Sequence, residues 1–203
     1  MSSWDRPPAG TTVTQFFESW LTAAFQASGR HGPLAGPRVR ASLSGPGGGA
    51  WDVQVHDSDL HVEKATRDMP DVWLRQSVVD FLTALSPDPD LPTLLPPGWS
   101  ALDLLFLDPR DIELLRQVSG RVLVEVAGRR GRRWAFDVGF GKTGVSAGRA
   151  RSTIRLDGTT FDGLRSGSIP AMQPLLDGRL KLEGDRALAM QLLLLLGSRL
   201  ARR

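Results

Sequence analysis

The 203-residue chain has no cysteine and no tyrosine, three lysines, and three histidines that all precede residue 62. Without cysteine there is no disulfide framework, thiol nucleophile, iron–sulfur cluster or Cys-ligated zinc, so any metal would have to be held by His or carboxylate. Long hydrophobic runs are also missing. The longest, Ala187 to Leu196, is broken by Gln191 and falls far short of the roughly 20 residues of a membrane span. The opening residues, from Met1 to Pro8, show no basic stretch followed by an apolar one, so no secretory signal is visible. These absences lead us to expect a soluble, cytoplasmic protein.

What is present is ordinary globular composition: 41% hydrophobic and 23% charged residues. Arginine outnumbers lysine by 22 to 3, a bias that suits a GC-rich bacterial genome. Net charge is only +3, yet residues 1–119 carry 9 Lys and Arg against 15 Asp and Glu, whereas residues 120–203 carry 16 against 7. The halves thus stand at −6 and +9, which points to modules with different partners or to modules that attract each other.

The chain also repeats itself. Arg38 to Leu43 alternates as a strand should, and Arg121 to Val126 does so 83 residues later; the same shift carries Trp51 onto Trp134. A shift of 80 aligns Leu74 with Ile154 and Phe81 with Phe161, and one of 75 brings Leu105 and Leu107 onto Leu180 and Leu182. Each half therefore reads as a helix, three antiparallel strands, a fourth strand, short helices, a fifth strand and a helix. The first helix is expected over Val13 to Ala27, where Phe16, Phe17, Trp20, Leu21, Ala24 and Phe25 recur at helical spacing. Pro109 to Val118 should both close the first half and open the second, with Pro109 in the first turn, where its missing N–H is not needed. The Pro-rich stretch 86–98 reads as an ordered loop inside the first copy.

From Phe161 to Met190 the second half carries Phe161-Asp-Gly-Leu, Gly167, Gly178-Arg-Leu-Lys-Leu-Glu-Gly184 and Asp185. In that register it resembles the C-terminal region of the sterol carrier protein 2 (SCP2) family, over roughly residues 108–200 once Trp134 is included. Physically, Gly178 and Gly184 bracket a five-residue strand with Leu180 and Leu182 on one face, and Asp185 stands where a carboxylate caps the next helix. In the first half the corresponding Trp99 to Asp111 lacks the Gly-Asp pair, so that copy is degenerate. The resemblance implies an α/β (α+β) fold: a mainly antiparallel five-stranded sheet covered by helices, present twice, with an apolar tunnel for fatty-acyl chains, sterols or similar lipids. The boundary is set at residues 1–108 and 109–203.

The residues expected to line the tunnel are Phe161, Leu164, Ile169, Met172, Leu175, Leu176, Leu188, Leu192, Leu195 and Leu196. Leu192 to Leu196 wrap every side of a helix, so one core face cannot absorb them; lipid, a homodimer partner or the first repeat would take the remainder. Arg129, Arg130, Arg132 and Arg133 crowd a hairpin turn, read as a solvated tip, with a transient anionic membrane surface as its functional alternative. Nucleic acid is not expected, since four arginines reach few phosphates.

His56 and His61 would face each other if Asp57 to Leu60 formed a four-residue loop, but Asp-Ser-Asp is ordinary turn chemistry; no metal site is assigned. Gly144 to Gly148 matches Gly-x-Ser-x-Gly, yet no histidine follows to serve Ser146, and Lys142 lacks the glycine spacing of a P-loop. No cofactor and no catalytic residue is implied. The reading is non-catalytic binding or transfer of a hydrophobic ligand. The alternatives are a structural or oligomerisation module with a filled pocket, and an enzyme reusing the cavity for cyclisation or isomerisation, whose acid–base work would fall on Asp137, Asp157, Asp162 or Asp177.

Overall fold

Period-two alternation drives the chain into strands that bury one face. In the computed structural model β1 (Val39–Ser44), β2 (Gly49–His56), β3 (Asp59–Lys64), β4 (Val72–Ser77), β5 (Gly120–Ala127), β6 (Arg133–Phe140), β7 (Ser152–Asp157) and β8 (Leu180–Gly184) form one sheet, ordered β3-β2-β1-β4-β6-β5-β7-β8. The structure describes residues 6–29, 35–86, 92, 101–107, 109–117, 119–144, 150–170 and 172–200, with the side chains of all but 101–103, 142, 143 and 194–200. Pairs β1–β4 and β5–β7 are parallel, and the remaining neighbours are antiparallel.

The expected helix over Val13 to Ala27 is present as α1 (Val13–Gln15), a π-helical stretch (Phe16–Trp20) and α2 (Leu21–Ala27). It starts at a capping box in which the Gln15 N–H donates to Thr12 Oγ1 (3.2 Å) and the Thr12 N–H to Gln15 Oε1 (2.9 Å). The other helices are α3 (Val78–Leu85), α4 (Pro109–Gln117), α5 (Gly141–Gly144), α6 (Gly158–Ser166), α7 (Gln173–Leu176) and α8 (Arg186–Leu200). Among the described residues, no helix is long and apolar enough to cross a membrane.

One sheet face, carrying Trp51, Val53, Val122, Trp134, Val138 and Ile154, joins the helices in a single core. The opposite face is a row of charges. Arg40 grips Asp52 with two hydrogen bonds, Nε at 2.7 Å and Nη2 at 2.8 Å; Arg121 does the same to Asp137, and Arg155 bridges Glu125 and Glu183.

The shifts of 83 and 80 residues reappear in the strand pairing. Val39 lies opposite Val72 in β1–β4, and their images Val122 and Ser152 lie opposite each other in β5–β7. Ser77 caps α3 by accepting the Asp80 N–H (3.0 Å), and its image Asp157 caps α6 by accepting that of Thr160 (2.8 Å). The tryptophans do not superimpose so directly. Trp51 pairs with Ala41, whose image Val124 pairs with Phe136, while Trp134 pairs with Val126. The second hairpin is one pair longer before its turn, which moves Trp134 two residues along the same face.

The expectation of a five-stranded sheet in each half is corrected to one continuous eight-stranded sheet. Leu105 and Leu107 do not form a fifth strand: Ala101–Phe106 is a 3₁₀ helix, with Leu104, Leu105 and Leu107 buried. The edge of β4 that such a strand would need is already taken by β6, through Val72↔Phe140, Trp73↔Gly139, Leu74↔Val138 and Arg75↔Asp137. After β6 the chain enters α5 instead of a third antiparallel strand. Of the Pro-rich stretch 86–98, Ser86 and Pro92 alone are among the described residues, and the Pro92 carbonyl accepts the Trp134 indole N–H at 2.9 Å. Ser146, in the Gly-x-Ser-x-Gly segment, and Val118 lie outside the described residues.

Candidate ligand cavity

Large aromatic residues on the first helix prop it off the sheet. Phe17 stacks on Trp51 (4.7 Å between centroids) and on Phe81 of α3 (5.7 Å), and Phe16 meets Phe81 edge-on at 5.1 Å. Ala41, on the strand beside Trp51, fills little of the space beneath them. A cavity of about 80 Å³ results, with Phe16, Phe17, Leu21, Phe81, Leu85 and Leu105 as its roof and Val39, Ala41, Leu43, Val53, Leu74 and Phe136 as its floor; Gln76 is its one polar residue. Such a lining offers water almost no hydrogen-bond partner, so the space favours apolar groups. Its volume is well below the roughly 300–1,000 Å³ of pockets that enclose a drug-sized molecule, so a long chain enters only as the aromatic roof moves.

Beside this cavity the sheet opens. Arg75↔Asp137 is the last pair between β4 and β6, and beyond it the strands part around a cleft of about 420 Å³ whose walls include Ser42, Ser44, Arg75, Ser77, Asp80, Ala135 and Asp137. Leu43, Gln76 and Phe136 border both spaces. The Arg75 guanidinium lies 3.7 Å from the Trp73 ring centroid and 3.8 Å from Asp137. Burial, and then the like charge of Arg121, push its pKa below the usual arginine value.

The residues singled out in the second half lie elsewhere. Phe161 packs edge-on against Trp134 at 5.2 Å. Leu188 is buried against Gly120, where an added Cβ would come within 2.5 Å of it, and Ile169 covers Gly163. Leu192 is buried, while Leu164, Met172 and Leu175 are half-buried. Leu176 is 81% exposed. The side chains of Leu195 and Leu196 lie outside the described residues. None of the described eight borders the cavity beneath α1–α3.

The glycines of the family-like stretch behave as expected: Gly178 and Gly184 take φ of 71° and 75° at the ends of β8, and Asp185 accepts the Leu188 N–H at 3.1 Å as a helix cap. Arg129, Arg130, Arg132 and Arg133 form an exposed turn, closed by the Gly128 N–H on the Arg132 carbonyl at 2.8 Å. Arg151 pairs with Asp185 at 3.1 Å and Arg155 with two glutamates, so these arginines serve the sheet.

The four aspartates considered as acids hold structure. Asp137 is gripped by Arg121, Asp157 caps α6, Asp162 pairs with Arg165 at 2.9 Å, and Asp177 with Arg179 at 2.7 Å. The histidine turn is shorter than supposed. Asp57 and Ser58 form a two-residue loop with φ of 49° and 69°, which sets His56 opposite Asp59 and His61 opposite Gln54. The imidazole centroids are 6.4 Å apart, and among the described residues no three His, Asp or Glu converge as metal ligands.

Residues 102–196 match the model of the SCP-2 sterol transfer family. No curated protein matches the chain. Among solved structures it is similar to sterol carrier protein 2 from Yarrowia lipolytica in its apo form, at 22% identity over 43% of this chain and 74% of that one, with a TM-score of 0.34. It is also similar to the sterol carrier protein domain 2 of Helicoverpa armigera, at 20% identity over 51% and 81%, with a TM-score of 0.37. The family match thus falls on the second half of the chain, and the cavity is walled mainly by the residues before it.

Proposed function

We propose that this protein binds and carries a hydrophobic ligand without covalent chemistry, and that the first half, degenerate in sequence, supplies the cavity. The observation that carries this reading is the lining beneath α1–α3, apolar but for Gln76. The SCP-2 match at residues 102–196 supports the same ligand class. Burial of apolar surface, at about 25 cal/mol per Å² removed from water, supplies the driving force. The two halves, 1–108 and 109–203, are a tandem duplication in this reading, with the paired registers of β1–β4 and β5–β7 as its support. The exposed arginines at 129–133 would draw the carrier to anionic membrane surfaces, each worth about 1 kcal/mol near such a surface.

The test is titration with 1,6-diphenylhexatriene, a hydrocarbon that fluoresces in apolar sites. Saturable enhancement is expected, with affinity about tenfold weaker in Ala41→Leu, which extends a side chain into the cavity. Native mass spectrometry should also find co-purified lipid. A protein that emerges empty and shows no saturable enhancement contradicts the reading.

A further inference from the structure

The β2–β3 hairpin ends the sheet, with β3 as its edge strand. Its register sets Asp52, Gln54 and His56 of β2 beside Glu63, His61 and Asp59 of β3 on the polar face. There Arg38, Asp52, Gln54, His56, His61 and Glu63 line a cleft of about 260 Å³. Half of these groups are already engaged. Arg38 pairs with Asp68 at 3.2 Å, Asp52 is held by Arg40, and the Gln54 amide donates to the Gly36 carbonyl at 2.8 Å. Among the described residues, the side chains of His61 and Glu63 make no hydrogen bond or ion pair. His56 is engaged on one nitrogen: Asp57 Oδ2 lies 3.0 Å from its Nδ1. That contact keeps the proton on Nδ1 and the lone pair on Nε2, as where a carboxylate orients a metal-bound imidazole.

We propose that His56 and His61 together bind one late first-row divalent ion, copper, nickel or zinc, as an exchangeable site at the sheet edge. Imidazole is the side chain such ions take where thiolate is lacking, and the chain has no cysteine. The ring centroids lie 6.4 Å apart, with the planes at 73°. A metal–nitrogen bond of about 2.0–2.1 Å puts an ion roughly 3.2 Å from the centre of each ring, so this pair is within bridging span. Tetrahedral geometry asks the centroids to close to roughly 5 Å. Rotation of the side chains supplies that shift, since His56 is 56% exposed and His61 is exposed as well. Among the described residues no third ligand converges, so the remaining coordination positions belong to water, unlike those of a closed structural zinc site. Glu63, the next residue on the same face as His61, adds negative charge to the cleft. The site is separate from the apolar cavity and stands apart from the carrier reading.

The experiment titrates the full chain with copper(II) chloride by calorimetry in a non-coordinating buffer near neutral pH, and records electron paramagnetic resonance of the loaded protein. One ion per chain is expected, with hyperfine coupling to imidazole nitrogen. His56→Gln and His61→Gln should each weaken binding about a hundredfold, the upper end of what loss of an orienting partner alone would cost, and should diminish the coupling. Both positions are exposed, and circular dichroism should show the variants folded. Binding that survives both replacements, binding abolished by His31→Gln alone, a loaded protein without imidazole coupling, or no saturable binding in wild type overturns the assignment.

Discussion

Two ion pairs of similar appearance differ in what they contribute, because one is buried. Asp52 is 2% exposed, accepts both arms of Arg40, and takes the Thr66 N–H at 3.3 Å; its hydrogen bonds with Arg40 raise the Arg40 pKa above its usual value. Removing one partner leaves a buried charge alone. Asp52→Ala should therefore lower unfolding free energy by about 3–5 kcal/mol in urea denaturation, whereas an apolar replacement of both residues should cost much less.

Glu18 is the surface counterpart. It accepts hydrogen bonds from Lys64 Nζ at 2.6 Å and Trp51 Nε1 at 3.1 Å, and these hold its carboxyl below the usual glutamate value, Lys64 first. A lowered carboxylate pKa stabilises the fold above the unfolded-state value, and that contribution disappears as pH falls through the folded-state value. The melting temperature of wild type should exceed that of Glu18→Gln at pH 7, and the gap should close on acidification through the ordinary glutamate range. A gap that stays constant down to pH 3 contradicts this account.

Whole elements were legible where local chemistry repeats within one segment. Thr12 and Gln15 cap the first helix, aromatic residues recur along it, and it ends at Ala27 as its periodicity requires. The shifts of 83 and 80 residues also carry the register of β1–β4 onto that of β5–β7, but the sequence did not foretell that either pair would be parallel. What failed depends on competition between distant segments. Leu105 and Leu107 suit a strand, but β6 holds the edge they would join, a choice no local pattern records.

The cavity was missed for a related reason. Phe16, Phe17 and Phe81 look like core residues, and only the stacking of Phe17 on Trp51 and of Phe81 on Phe17 shows that they stand off the floor at Ala41. The signal that was available is the small residue facing a cluster of large ones. At this scale the corresponding caps make a matched pair of predictions. Ser77→Ala and Asp157→Ala should each cost about 1 kcal/mol in thermal or chemical unfolding, and the losses should add, because α3 and α6 share no capping partner.

At the scale of the molecule the decisive feature is the seam between β4 and β6. Four residue pairs cross it, α3 packs on β6, and Arg75–Asp137 (3.8 Å) and Arg116–Asp71 (2.8 Å) bridge the halves. Cut at residue 108, each fragment would expose a strand edge able to pair indiscriminately. The split also separates charge: residues 109–119 carry two of each sign, so the fragments keep the −6 and +9 of the halves. Fragments 1–108 and 109–203, each aggregation-prone alone, should therefore co-purify as a 1:1 pair when co-expressed. Their association should slow as salt rises from 0.05 to 0.5 M, since screening shortens the reach of attraction to below about 10 Å. Binding of diphenylhexatriene should return only in the reassembled pair, because Phe136, which completes the cavity floor, belongs to the second fragment. Two stable, separate monomers at micromolar concentration would show that the sheet is divisible and that the seam does not unite the fold.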